Sequence, residues 1–256
     1  HAAYFKVVDQ VIIEIFNQPI EKQPKGILDM GCGNGAFLIH LFDVIEQQTL
    51  RGKHLDEYPL TIVGVDFNAA ALRISKANII QADIWAKVIW GDIGDPAGLA
   101  KDLQDHYGIK LADLLNVRTF LDHNRVWAEP ESSYEEGAFG NSSGAFAHRG
   151  DRKQNKDVEA SLMEHAKKWQ PFVSQHGLLI IELHTVRPSL VAKNLGKTAA
   201  TAYDATHGYS DQYIVEIDVF NDILSKAGLQ PDTDKFRRYP DSDLATVSVN
   251  LFRGRD

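Results

Sequence analysis

Apolar positions recur along the chain with two periods, and the switches between them predict the elements. Over residues 4–17, Val7, Val8, Val11, Ile12, Ile15 and Phe16 fall near helical spacing, which predicts an amphipathic leading helix. Residues 26–30 read as a short buried strand ending at a glycine cluster, and 36–47 as the helix behind it. A second strand follows at 61–66, a helix at 69–77, and a third strand at 87–90 that closes on Gly91 and Asp92. Pro96 in a first turn, with Asp95 as N-cap, starts a helix to about Tyr107. Residues 111–120 predict strand four, 157–174 a helix, 177–183 strand five, and 213–227 a helix stopped by Gly228. Two closing strands, 235–239 and 245–252, come without a helix between them, which predicts an antiparallel hairpin.

Strands alternating with helices imply an α/β fold with a parallel sheet, whose ligands sit at the carboxyl ends of the strands. The segment at about 129–155 is charged and rich in glycine and serine. It is too long for an ordinary connection, so it reads as a surface insertion, a lid or a partly mobile loop. The organisation expected is a leading helix over 1–25, as the remnant of an N-terminal lid, followed by one core over 26–256.

Composition narrows the classes. Twenty-seven Lys and Arg stand against 35 Asp and Glu, a formal charge of −8, which argues against a broad cationic face for nucleic acid. With 44% hydrophobic residues and no long uncharged apolar run, the chain reads as a soluble, cytoplasmic globular domain with no membrane partner. The single Cys32 allows no intramolecular disulfide. Nothing beside it supplies positive charge, so it reads as a small loop residue rather than a nucleophile. The chain opens on His1 rather than Met, which predicts a domain cut from a longer polypeptide.

The strongest chemical signal is ILDMGCGNGAFL, residues 27–38. Gly31, Gly33 and Gly35 lie between a strand and a helix, where missing side chains let the backbone turn sharply and approach a ligand. Gly31, Gly33 and Ala36 also satisfy a dinucleotide pattern, so the glycines alone leave the ligand open. Three acids favour adenosine joined to a cation. Asp29 stands two residues before Gly31, where a pyrophosphate would be repelled; Asp66 ends strand two, where a carboxylate accepts ribose hydroxyls; Asp92 follows strand three, where it and the Ile93 amide can read an adenine edge. In combination these features resemble class I S-adenosylmethionine (SAM)-dependent methyltransferases over about residues 26–120. The resemblance implies a Rossmann-like, seven-stranded, mostly parallel sheet with a terminal antiparallel hairpin. It also implies a cofactor site of Asp29, Gly31, Gly33, Gly35, Asp66, Phe67, Asp92, Ile93 and Asn116.

Past strands four and five the chain is dense in polar groups. Strand four runs into NVRTFLDHNR, with Arg118, Asp122, His123 and Arg125; strand five runs into IELHTV, with Glu182 and His184. Residues 203–213 add Asp204, His207, Asp211 and Gln212 between Tyr203, Tyr209 and Tyr213. For an oxygen or nitrogen acceptor, His123 suffices as a general base. For a carbon acceptor the C–H is too weakly acidic for imidazole alone, and a divalent metal chelated by a 1,3-dicarbonyl substrate would stabilise the enolate. No C-x-x-C or H-E-x-x-H spacing announces a metal.

FLDHNR, AFAHRGD, GLLIIELHTV and the run NLGKTAATAYDATHGYSDQYIVEIDVF resemble the C-methyltransferase domains in polyketide synthase loading modules of the apratoxin type, over about residues 112–220. That resemblance implies SAM beside an iron-type site (Fe or Mn) and methylation of the α-carbon of malonyl or methylmalonyl groups on an acyl carrier protein, among neighbouring synthase domains. It makes His123 and Gln212 the metal ligands and His123, His207 and Arg118 the catalytic set. His184 enters as a third ligand, a base or a supporting partner. Arg118, Arg125 and Arg149 become candidates for a substrate carboxylate or a phosphopantetheine phosphate, with a surface salt bridge favoured for Arg149. Two alternatives stay open: a metal-free O- or N-methyltransferase with His123 as base, and an inactive SAM-binding scaffold.

Overall fold

A computed structural model describes residues 2–135, 137–139, 141–198, 200 and 210–255. The main sheet is mixed, with eight strands in the order β3-β2-β1-β4-β7-β10-β8 and β9 paired to β10 off that path. The chain divides into two compact units, residues 1–119 with 172–179, and residues 120–171 with 180–256.

In the first unit, β1 (Gly26–Met30) lies between β2 (Thr61–Asp66) and β4 (Leu114–Thr119), parallel to both; β3 (Ala86–Trp90) pairs parallel to β2 at the edge. All five β1 residues are buried, as a strand flanked on both sides requires. Gly26 opens it for a steric reason: a Cβ there would lie 1.8 Å from the Thr61 carbonyl oxygen. Helix α1 (Ala2–Phe16) docks on α2 (Ala36–Gln48) through stacked Phe5 and Phe37 rings, 5.3 Å between centroids, and a 2.7 Å contact between His40 and Asp9. The leading helix is therefore part of this unit. α3 (Ala69–Gln81) is capped by Asn68, which accepts the Ala70 N–H at 2.9 Å, and α4 (Pro96–Tyr107) by Asp95, which accepts the Gly98 N–H at 3.0 Å.

In the second unit, a two-stranded ribbon of β5 (Phe146–His148) and β6 (Asp151–Lys153) precedes α5 (Asn155–Val173), β7 (Leu178–Leu183), α6 (Pro188–Lys193) and α7 (Ile217–Lys226). β8 (Leu229–Pro231) and β9 (Arg237–Tyr239) each pair antiparallel with β10 (Val247–Gly254). The β9–β10 hairpin meets the expectation from the closing segments. The count of seven strands does not hold. β8 supplies the eighth, and its three residues are too short to register as a period-two pattern. The expected helix at 213–227 begins only at Ile217, because Tyr213 spends its N–H on the His123 carbonyl at 2.8 Å and Thr185 bridges to Glu216. Much of the insertion is packed: Phe139 and Phe146 are buried, and Asn155 donates to the carbonyls of Ser142 and Gly144 at 2.9 and 2.8 Å.

Candidate active site

The glycine loop and the acids Asp29, Asp66 and Asp92 lie in the first unit. Gly31, Gly33 and Gly35 all have positive φ, and the loop they form delivers the chain into the first turn of α2. Two of these glycines have identifiable reasons. At Gly35 an added Cβ would meet the Ser75 hydroxyl at 2.6 Å, whereas at Gly33 (φ +53°) nothing lies within 4 Å, so conformation alone demands the glycine and its outer side is open. The Gly33 N–H donates to Asp66 Oδ2 at 2.9 Å and the Asn68 N–H to Asp66 Oδ1 at 2.8 Å. Asp66 thus ties β2 to the glycine loop with one acceptance on each oxygen, leaving lone pairs on both. Asp92 accepts the Gly94 N–H through Oδ1 at 2.7 Å, and Ile93 is buried beside it.

Asp29 is 2% exposed, in register with Gly64 and Val117. Among the described residues its carboxylate accepts no hydrogen bond and meets no cation. Burial first, and the nearby Asp66 charge second, push its pKa up to about 7. A buried carboxyl at that threshold fits a site that receives a cation, since a neighbouring positive charge would hold it ionised. Cys32 is buried beside Ser75 and its thiol is pushed up to about 12, chiefly by burial, which fits its reading as a loop residue. Asn116 is fully buried at the register position of Leu28, and its Oδ1 has no partner among the described residues. Arg118 is likewise buried, opposite Met30.

The second unit carries His123 and Glu182. His123 lies in a single turn (Asp122–Asn124) after β4, and its Nδ1 is 2.6 Å from Glu182 Oε1 on β7. Glu182 also accepts the main-chain N–H of His123 through Oε2 at 3.2 Å and that of Leu183 through Oε1 at 2.7 Å. Both side chains are buried. Burial pulls the His123 pKa down, but the charge and hydrogen bond of Glu182, with the charge of Asp122, outweigh it and leave it raised. Nδ1–H on the carboxylate leaves Nε2 with its lone pair, the arrangement common to histidine bases and metal-ligating histidines.

The main-chain bond from Tyr213 to His123 seats Gln212 in the segment held against that turn, and Gln212 is half-buried. Among the described residues no three His, Cys, Asp or Glu side chains form a group able to hold a metal. The Gln212 carboxamide oxygen accepts from the Ser210 hydroxyl at 3.4 Å. His207, Tyr203, Asp204 and Tyr209 lie outside the described residues.

His184 is not available for chemistry. Its Nδ1 is 3.1 Å from the Val215 carbonyl and its Nε2 2.7 Å from the Ser248 hydroxyl, and burial drives its pKa down to about 3. It is a structural histidine that joins β7's exit to β10. Arg125 is equally structural: buried, donating from Nη1 to the Asp122 carbonyl at 3.0 Å, and stacked over Tyr213 at 5.4 Å. Arg149 is exposed at φ +51°, its N–H donating to Asp211 Oδ1 at 2.8 Å. Sequence reasoning missed the buried pair of Asp122 and His165, 2.9 Å apart. His165 falls mid-helix on α5, with no motif to mark it.

No curated protein sequence matches the chain. Solved structures similar to it include the PH0226 protein from Pyrococcus horikoshii OT3, 10% identical over 99% of this chain and 91% of that one, with a TM-score of 0.52. A geranyl diphosphate methyltransferase solved with SAM is 8% identical over 97% and 84%, TM-score 0.52. A geranyl diphosphate C-methyltransferase from Streptomyces coelicolor A3(2), solved with Mg2+, geranyl diphosphate and S-adenosylhomocysteine (SAH), is 9% identical over 98% and 77%, TM-score 0.53. At such identities these similarities establish the fold. The family follows from the sequence itself, since the model of the AprA MT2-like domain matches residues 1–250. With that match and the glycine loop of the first unit, the chain belongs to the AprA MT2-like family of SAM-dependent methyltransferase domains.

Proposed function

We propose that this domain methylates the α-carbon of a malonyl- or methylmalonyl-type thioester carried on an acyl carrier protein, working beside other synthase domains. The observation that carries the reading is the buried His123–Glu182 pair, with Nδ1 committed to the carboxylate and Nε2 without a hydrogen-bond partner among the described residues. In the reaction the sulfonium S–CH3 bond breaks, a C–CH3 bond forms at the α-carbon, and SAH leaves after the α-proton has gone to a base. Asp66 would hold the ribose, Asp92 with Ile93 the adenine, and Asp29 the cationic end of SAM. Glu182 would hold the imidazole in one tautomer and orientation, as an acid–base histidine requires.

His123 Nε2 can take a proton or a metal, not both at once. For a carbon acceptor the metal use is favoured: His123 and Gln212 would hold Fe or Mn, whose Lewis acidity at the thioester carbonyl would make the α-proton acidic enough for a solvent base to take it, Nε2 being occupied. The His123–Glu182 pair is also the basis of a second reading, a metal-free O- or N-methyltransferase with His123 as base oriented by Glu182.

The test is mass spectrometry of malonyl- and methylmalonyl-carrier protein incubated with SAM, with and without Fe(II), beside a His123→Ala control. One added methyl, lost in the control and lost on chelation, is expected. Transfer that survives chelation would remove the metal from the proposal. No transfer to either carrier under any condition would overturn the substrate assignment.

A further inference from the structure

Two large aromatic side chains stand in solvent at the cofactor end of the first unit: Phe67 is 58% exposed and Trp90 54%. Single exposed rings are ordinary, but these two form a pair. Their centroids are 5.4 Å apart at an interplanar angle of 42°, and the Trp90 Nε1–H donates to the Phe67 carbonyl at 3.0 Å. The bond falls at a sensitive place. Phe67 sits between Asp66 and Asn68, and the Asn68 N–H and the Gly33 N–H are both held by the Asp66 carboxylate. One indole at the end of β3 therefore pins the Phe67–Asn68 peptide, whose N–H the Asp66 carboxylate holds, and Asp92 lies two residues further along the chain from that indole.

Trp85 provides the contrast. It is more exposed still, at 94%, yet among the described residues it makes no ring contact and no side-chain hydrogen bond. An indole that donates to the main chain while leaving half its surface bare is placed for a ligand rather than for the core.

We propose that Trp90 is a positioning residue for the adenosine half of the cofactor: its indole N–H fixes the Phe67 peptide, and the paired rings present Phe67 as a stacking face for adenine. This rests on the assignment of Asp66 and Asp92 to SAM. The Phe67 ring brings apolar area to the base, and the hydrogen bond removes the freedom that the segment after β2 would otherwise lose on binding. Adenine recognition then depends on a residue that need not touch the base.

The experiment is calorimetric binding of SAH to the purified domain and to the variants Trp90→Phe, Trp90→Ala, Trp85→Phe and Asp66→Ala, each checked for unchanged thermal unfolding. Trp90→Phe keeps a ring and loses the donated bond, so SAH affinity should fall roughly fivefold, as for one neutral hydrogen bond. Trp90→Ala also loses the ring pair and should fall more than roughly tenfold. Trp85→Phe should change nothing, and a fluorescence change on SAH binding should persist in that variant and be lost in Trp90→Phe, which assigns it to Trp90 rather than to Trp127 or Trp169. With an acceptor in hand, the KM for SAM should rise in the Trp90 variants while the KM for the acceptor stays fixed, a split that general loosening would not give. Unchanged SAH affinity in both Trp90 variants, with Asp66→Ala weakened, overturns the role of Trp90. Unchanged affinity in Asp66→Ala overturns the cofactor assignment beneath it.

Discussion

Replacing Asp29 by Asn should strengthen the empty fold and weaken cofactor binding, and the two effects have one cause. Asp29 is buried in the centre of the sheet, and its pKa rises from 3.8 to about 7 because burial disfavours the charge and Asp66 repels it. Below about pH 4 the carboxyl is neutral in both folded and unfolded chains, and its ionisation costs the fold nothing. Between there and about pH 7 the unfolded chain releases a proton that the folded one keeps, so stability falls as pH rises. Above the folded value the loss is complete, about 4 kcal/mol. An Asn of nearly the same shape cannot ionise. Urea unfolding of both proteins from pH 5 to 8.5 should therefore show the Asn variant gaining on the wild type with rising pH and levelling off above about pH 8. Under the proposed assignment the cation of SAM offsets that cost by pairing with the ionised carboxylate, so SAM binding at pH 6 should release protons in the wild type and fewer in the variant, at lower affinity. A stability difference that does not change with pH would refute the reasoning, as would a variant that binds SAM as tightly as the wild type.

His184 carries the opposite sign. Its folded pKa is lowered to about 3, so its contribution is present above about pH 6.5 and is lost as pH falls toward 3, by about 5 kcal/mol; His184→Gln should flatten that acid limb in the same unfolding series, and a parallel curve would contradict the buried, neutral assignment. Gly33→Ala should cost about 1 kcal/mol of stability from its positive φ alone, since nothing crowds the new methyl, while lowering SAH affinity at least roughly tenfold; retained affinity would mean that the loop's open side does not face the cofactor. The Cys32 thiol, held near 12, should resist iodoacetamide at pH 8 in the folded protein and react on unfolding; rapid modification of the native state would contradict its burial.

What could be read from the chain follows from how local its causes are. β1 to β3, the capped start of α4 and the glycine loop are written in short-range chemistry, namely apolar runs, Asp95 before Pro96, and glycines where φ turns positive. Tyr213 to Glu216 were legible only as an apolar, helix-like continuation, because the long-range bond to the His123 carbonyl that keeps them extended leaves no trace in the pattern. The histidines show the same limit at the site. His123 and His184 both follow strands among polar neighbours, yet among the described residues one keeps a nitrogen without a partner while Val215 and Ser248 take both of the other's. Trp90 was visible in WGDI only as the end of a strand; its donation to Phe67 is a fact of strand register, set by the pairing of Asp66 with Trp90 across β2 and β3. Among the described residues no helix is long and apolar enough to cross a membrane.

The most direct test of the proposed chemistry is where the methyl goes. SAM labelled with carbon-13 in its methyl group, incubated with the domain and malonyl-carrier protein labelled at the α-carbon, should give a methyl resonance split by coupling to that carbon, and His123→Ala should abolish it. A transferred methyl without that splitting, at the shift of an oxygen- or nitrogen-bound group, would contradict methylation at carbon.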